Sequence, residues 1–125
     1  MTLGVFLLLA AAGGVGAGAR FLVDGLIHAK IRTAFPWPTA IINMTGSLVL
    51  GVLTGLVVSR LASTDVAAIV GTGFLGGYTT FSTASYEAVQ LVKQKRYGTA
   101  LAYSVGILVM CVALASLGYR WGAAL

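Results

Sequence analysis

Charge is scarce in this chain: eight Lys and Arg and three Asp and Glu among 125 residues, or 9%. An ordinary soluble domain carries about a quarter charged residues, so a water-facing globule of this length is excluded. The acids, Asp24, Asp65 and Glu87, stand far apart, and there is one histidine, His28, and one cysteine, Cys111. That inventory offers no metal-ligand cluster and no nucleophile–base grouping, which argues against an enzyme. A single cysteine also rules out any disulfide framework within one chain; inside an apolar stretch it behaves as a small hydrophobe. No basic run is longer than Lys93-Gln94-Lys95-Arg96, and no polar domain exists to present it, so a nucleic-acid partner is excluded as well.

What fills the chain instead is apolar: 58% hydrophobic residues and a mean hydropathy of +0.96. The uncharged stretches 1–19, 33–59, 66–86 and 97–119 each match, with their flanks, the roughly 20 residues needed to span a bilayer. The pattern predicts an all-α membrane protein, one domain over residues 1–125. Its four transmembrane helices fall at about 2–27, 37–60, 65–93 and 97–121. The apolar start is not a secretory signal, despite the small residues at 17–19, because no Lys or Arg precedes it.

The first helix carries small residues at 13–19, suited to close approach of another backbone. A polar loop, HAKIRTAF, follows. Pro36-Trp37-Pro38 then starts the second helix, where proline is tolerated in the first turn and Trp37 suits the headgroup layer. Gly51 and Gly55 give that helix a second close-packing face. The residues before Asp65 form an N-cap region for the third segment. Lys30, Arg32, Lys93, Lys95 and Arg96 lie on the side opposite the termini, and Arg60 and Arg120 on the terminal side. Five against two favours termini outside, a margin small enough for insertion both ways round.

The third segment is the anomaly. Its midpoint is residue 79, and around it runs GFLGGYTTFSTAS at 73–85, with three glycines and five hydroxyl residues in the last seven positions. Glycine costs about 1 kcal/mol relative to alanine inside a helix, so Gly76-Gly77 followed by Thr79, Thr80 and Phe81 predicts a helix broken near the membrane midplane. Unwound backbone at that depth survives only where protein buries it or a cavity or ion satisfies it. Broken membrane helices use their free ends and carbonyls for ion sites. Other helices supply polar faces: Thr39, Asn43 and Ser47 on the second, Thr99 and Tyr103 on the fourth. Singly, such residues are interhelical glue; three polar faces beside a break describe a lined pathway.

The donors of that pathway are hydroxyls, an amide and aromatic edges, with no carboxylate at the midplane. Glu87 falls about two turns beyond the centre, near one mouth. Hydroxyl and amide hydrogens can replace the water of a small, strongly hydrated anion, and Phe81 adds a constriction with an electropositive ring edge. Arg20 makes the local field positive, and Asp24, one turn later, is placed to hold it. The chemistry favours a small anion over a cation.

The run GFLGGYTTFSTAS with Glu87 after it resembles the signature of the Fluc (CrcB-type) fluoride channels, small bacterial four-helix proteins of the plasma or inner membrane. Gly16-Ala17 through Arg20, Pro36-Trp37-Pro38-Thr39 through Asn43 and Gly46, and Arg96-Tyr97 through Tyr103 carry the resemblance onto all four helices. It implies passive, fluoride-selective export and fluoride resistance through an antiparallel, dual-topology dimer, with two pathways along the interface between subunits. That agrees with the count of helices, too few to enclose a pore alone. An antiparallel pair would also bring the two breaks together on a two-fold axis in the membrane plane.

The resemblance further implies a structural sodium ion on that axis, held by the backbone carbonyls of Gly76 and Thr79. It implies that Asn43, Phe81, Ser82, Thr83 and Tyr103 line or shape the fluoride path, with Arg20 at the vestibule and Glu87 on the polar track. One departure is Ala84, where many relatives have a second phenylalanine. A homodimer is expected, and a paralogous subunit supplying the missing ring is the alternative. The rival functions are a proton-coupled multidrug exporter, which lacks the acid its first span requires, and a non-transporting scaffold, which leaves the polar faces unexplained.

Overall fold

The computed structural model describes all 125 residues, and every regular element in it is helical. Helix α1 is Leu3–Lys30 and α2 is Trp37–Val58. A short α3, Thr64–Val66, runs directly into a π-helical segment, Ala67–Leu75, and α4, Gly76–Tyr78. Residues 79–81 are not helical; α5 is Ser82–Lys93 and α6 is Tyr97–Ala124. Three helices, α1, α2 and α6, are long and apolar enough to cross a membrane.

The helix ends follow from local chemistry. Thr2 caps α1, its hydroxyl accepting from the Val5 N–H at 3.2 Å. The helix continues a turn beyond Ile27, through the first residues of the expected polar loop. There His28 reaches back to the Asp24 carbonyl and carboxylate, at 3.0 and 3.5 Å, and cationic side chains in a last turn suit the helix dipole. Within the expected region ahead of Asp65, Ser63 caps the third segment, accepting from the Val66 N–H at 3.1 Å. At α2 and α5 the chain leaves through a left-handed residue that is not glycine, Arg60 (φ 63°) and Lys95 (φ 59°). Main-chain bonds Leu61 N–H to Leu56 O and Arg96 N–H to Leu91 O, both 2.9 Å, close those turns.

Two glycine seams set the packing. Gly55 of α2 lies against α6, where an added Cβ would strike the backbone at Tyr119; Gly122 returns the contact onto Val52. Gly51 meets Ala115 as Gly55 meets Tyr119, so the matched residues rise together along both helices and α2 and α6 run parallel. The Ser59 hydroxyl ties the far end, donating to the Gly122 carbonyl at 3.2 Å. Gly55→Leu should therefore force the two backbones apart, at a cost of about 1–3 kcal/mol for an overpacked site. Thermal unfolding in detergent measures it, and an unchanged transition would mean that this seam is not tight. The second seam joins α1 to residues 71–77: a Cβ on Gly16 would meet the Phe74 carbonyl, and one on Gly77 the Gly13 carbonyl.

The third segment changes partners at residues 79–81. Ahead of them the π-helical run and α4 pack on α1; after them α5 packs on α6. The small core formed there comprises Ala40, Leu91, Ala100 and Tyr103, with Phe35, Ala84, Ala88 and Ile107 against it. Because the chain switches from one seam to another, an open groove remains between α2, α5 and α6, facing out of the molecule.

Candidate functional site

Thr79 is extended (φ −81°, ψ 161°), which ends α4 at Tyr78. The next residue, Thr80, is buried, and its backbone groups have no helical partner. Asn43 supplies both: its Oδ1 accepts from the Thr80 N–H at 2.9 Å, and its Nδ2 donates to the Thr80 carbonyl at 2.8 Å. One amide side chain thus substitutes for a strand neighbour. The Thr80 hydroxyl then accepts from the Thr83 N–H at 3.1 Å and caps α5, the usual work of a threonine at a helix start. Thr79 bonds back to Leu75 through both its N–H (2.9 Å) and its hydroxyl (2.8 Å).

Two carbonyls remain over. Because the Thr80 N–H is taken by Asn43, nothing in the chain donates to the Gly76 carbonyl, and nothing donates to that of Thr79. Both residues line the groove, whose volume is about 700 Å³.

Asn43, Phe81 and Tyr103 line the same groove, as does Ala84. Phe81 is 87% exposed, its ring standing out from the chain, whereas Tyr103 is 2% exposed. The Tyr103 hydroxyl donates to Glu87 Oε1 at 3.4 Å, a length beyond the usual O–H···O range. Glu87 itself lines a second cavity rather than the groove. Ser82 and Thr83 are exposed on the first turn of α5 and lie outside the groove wall. Arg20 lines neither cavity. The expected Arg20–Asp24 pair is absent: Asp24 pairs with His28. Asp24 is four residues from each, and an acid four residues N-terminal to a basic side chain is the better i,i+4 arrangement.

The groove also takes in Thr80 and Ser85, expected only as members of the polar run, Cys111, expected only as a small hydrophobe, and Ser104, for which the sequence raised no expectation. The signal for Thr80 was present, a hydroxyl three residues ahead of an amide at a helix start. Ser104 and Cys111 are seven residues apart, two helical turns, on an otherwise lipid-like helix.

The family model described as "CrcB-like protein, Camphor Resistance (CrcB)" matches residues 7–119. The chain belongs to the CrcB family. Among its relatives, the fluoride-specific ion channel FluC 1 of Leifsonia xyli subsp. xyli is 48% identical over 122 residues, covering 98% of this chain and 89% of that protein. The fluoride-specific ion channel FluC of Thermus thermophilus is 37% identical over 120 residues, 96% of each chain. FluC 1 of Ligilactobacillus salivarius is 42% identical over 108 residues, 86% of this chain and 90% of its own. These CrcB proteins are ion channels, not enzymes. With three membrane-length apolar helices of its own, this CrcB protein is a multi-pass membrane protein of the bacterial type.

Proposed function

We propose that the protein is a fluoride-selective channel that lets fluoride leave the cell passively and so confers fluoride resistance. The observation that carries this reading is the groove. Its wall is largely apolar but carries polar side chains from α2, α5 and α6 (Asn43, Ser85, Tyr103, Ser104), is bordered by an exposed phenylalanine, and is open on the side away from the chain. A wall of this kind is half of a pathway. A second, antiparallel copy laid over it would close the groove and bury Phe81, and two-fold symmetry would make two such paths.

The chemistry of the wall suits fluoride. Asn43 uses one of its two amide hydrogens on Thr80, which leaves the other free to donate. The N-terminal turn of α5 points its backbone N–H groups toward the break, a position that favours an anion. Phe81 offers its ring edge, which is electropositive.

The two carbonyls without donors, Gly76 and Thr79, fit a hard cation, for which oxygen ligands are the natural partners. In a dimer each copy would contribute this pair on the shared axis, and they would hold the sodium ion expected there. When bound, the ion supplies a fixed positive charge beside an otherwise neutral path. Ala84 lies on the groove wall one turn from Phe81. In a homodimer that position carries a methyl group in place of a second ring.

Efflux from liposomes containing the purified protein tests the reading. Rapid fluoride release with negligible chloride release is expected. Silence toward fluoride overturns it, and proton-driven uptake of organic cations would favour an exporter instead.

A further inference from the structure

A second cavity, of about 510 Å³, opens where α1 and α5 finish. The last turn of α1 and the 31–36 loop form one wall, with His28 and Arg32. The other wall is α5, through Glu87, Gln90 and Gln94, whose spacing puts them on one face of that helix. The two walls belong to helices that part company here, since α1 packs on the segment ahead of residue 79 and α5 packs on α6.

The depth of the cavity follows from helix length. Gly16, packed on the Phe74 carbonyl, is at the middle of α1. His28 comes twelve residues later, about 18 Å at 1.5 Å per residue, whereas half the hydrocarbon core is about 15 Å. From Ser82 to Gln94 the rise is the same, so the mouth opens in the headgroup layer. Exposed Trp37 and Tyr97 stand at this end too, and such rings settle at that level.

This end has more cations than partners for them. Lys30 and Lys93 occupy the last turns of α1 and α5, where they oppose the negative pole of each helix. Asp24 pairs with His28. Arg32, Lys95 and Arg96 remain, with Glu87 as the one acid left. Arg32 is the cation on the cavity wall, and its guanidinium has no partner in the chain. Across from it the Gln94 amide is also free, and Gln90 spends one amide hydrogen on the Tyr86 hydroxyl, at 2.9 Å, and keeps the other. A guanidinium fork facing amide hydrogens is a donor set for phosphate oxygens. Glu87 lies about 10 Å deeper than Gln94 along α5, so its charge repels an anion from the floor and keeps it at the lip.

We propose that this cavity binds the headgroup of one anionic phospholipid, its phosphate between Arg32 and Gln94. The acyl chains lie on the apolar surface that α1 exposes around Leu22 and Leu26. Basic pockets beside membrane helices take headgroups of this charge. The site is built from one chain, so it stands apart from the fluoride reading and from any dimer. Once bound, the headgroup ties the 31–36 loop to α5.

Native mass spectrometry of the purified protein, with dioleoylphosphatidylglycerol titrated into the detergent, tests this. One such lipid per chain should be held about tenfold more tightly than dioleoylphosphatidylcholine, whose quaternary ammonium brings a cation to a basic site. Arg32→Gln, on an exposed loop, should weaken phosphatidylglycerol binding about tenfold, the loss of a charge-assisted contact. Arg96→Gln makes the same exchange at the same end but outside the cavity wall, and should weaken it no more than about twofold, since exposed charges are screened. Equal losses from the two variants would mean attraction to the basic surface as a whole and overturn the site. Equal retention of the two lipids overturns it as well. Glycerol phosphate, a headgroup without chains, should fail to displace the lipid at about a hundredfold excess, because the chains supply the anchoring. Displacement would make the occupant a free phosphate compound and overturn the lipid assignment.

Discussion

Asn43→Leu should leave the protein unable to hold its third segment in the membrane. The leucine matches asparagine roughly in size but removes both partners of Thr80, the acceptor at 2.9 Å and the donor at 2.8 Å. Each buried polar group left unpaired costs about 1–3 kcal/mol, so the loss is about 2–6 kcal/mol, a large share of the roughly 5–15 kcal/mol by which folded proteins are stable. The expected result is a broad, early-eluting species on gel filtration in detergent and a transition shifted strongly downward. Asn43→Asp keeps the acceptor for the Thr80 N–H and turns a second oxygen toward the Thr80 carbonyl, so it should also fail. A leucine variant that is monodisperse and unfolds at the wild-type temperature would show that water or another group takes over the clamp.

The second large effect concerns conduction rather than folding. Phe81→Ile should reduce fluoride efflux by on the order of tenfold or more, a barrier increase of about 1.4 kcal/mol or above. The dimer should persist. Phe81 is almost fully exposed in the single chain, so its removal disturbs no packing within that chain. Isoleucine keeps most of the apolar area that association would bury but has no electropositive edge to offer an anion. Cross-linking reports the dimer and the same liposome assay reports the flux. Equal flux in variant and wild type would remove Phe81 from the constriction.

Much of the architecture is legible in the residues because membranes simplify the problem: runs free of charge mark spans, and Gly76-Gly77 with its hydroxyl neighbours marks a weak helix. Asn43 was equally visible as a polar group out of place. Its partner was not. The pairing with Thr80 joins residues 37 apart and depends on how two helices dock, which no local pattern encodes. Ser82 and Thr83 illustrate the same limit from the other side. They belong to the polar run, yet the turn that begins at Ser82 carries them away from the groove, while Ser85 one turn on faces it. The π-helical stretch from Ala67 to Leu75 has no signature in composition, since the same residues would serve an α-helix. Asp24 had a basic side chain four residues away on either side, Arg20 and His28, and spacing alone does not choose between them.

The clamp on Thr80 has a consequence for how the protein is made. Asn43 emerges from the ribosome 37 residues ahead of Thr80, at several residues per second, on a helix apolar enough to be inserted by itself. When the threonine leaves the ribosome, the helix that carries the amide satisfying it has already been inserted. The reverse order would hold an open backbone in hydrocarbon, waiting for its partner, at several kcal/mol per group. Biogenesis therefore constrains the chain as well as stability does: a circularly permuted gene that began after α2 would carry every contact described above and still present the break to the membrane first.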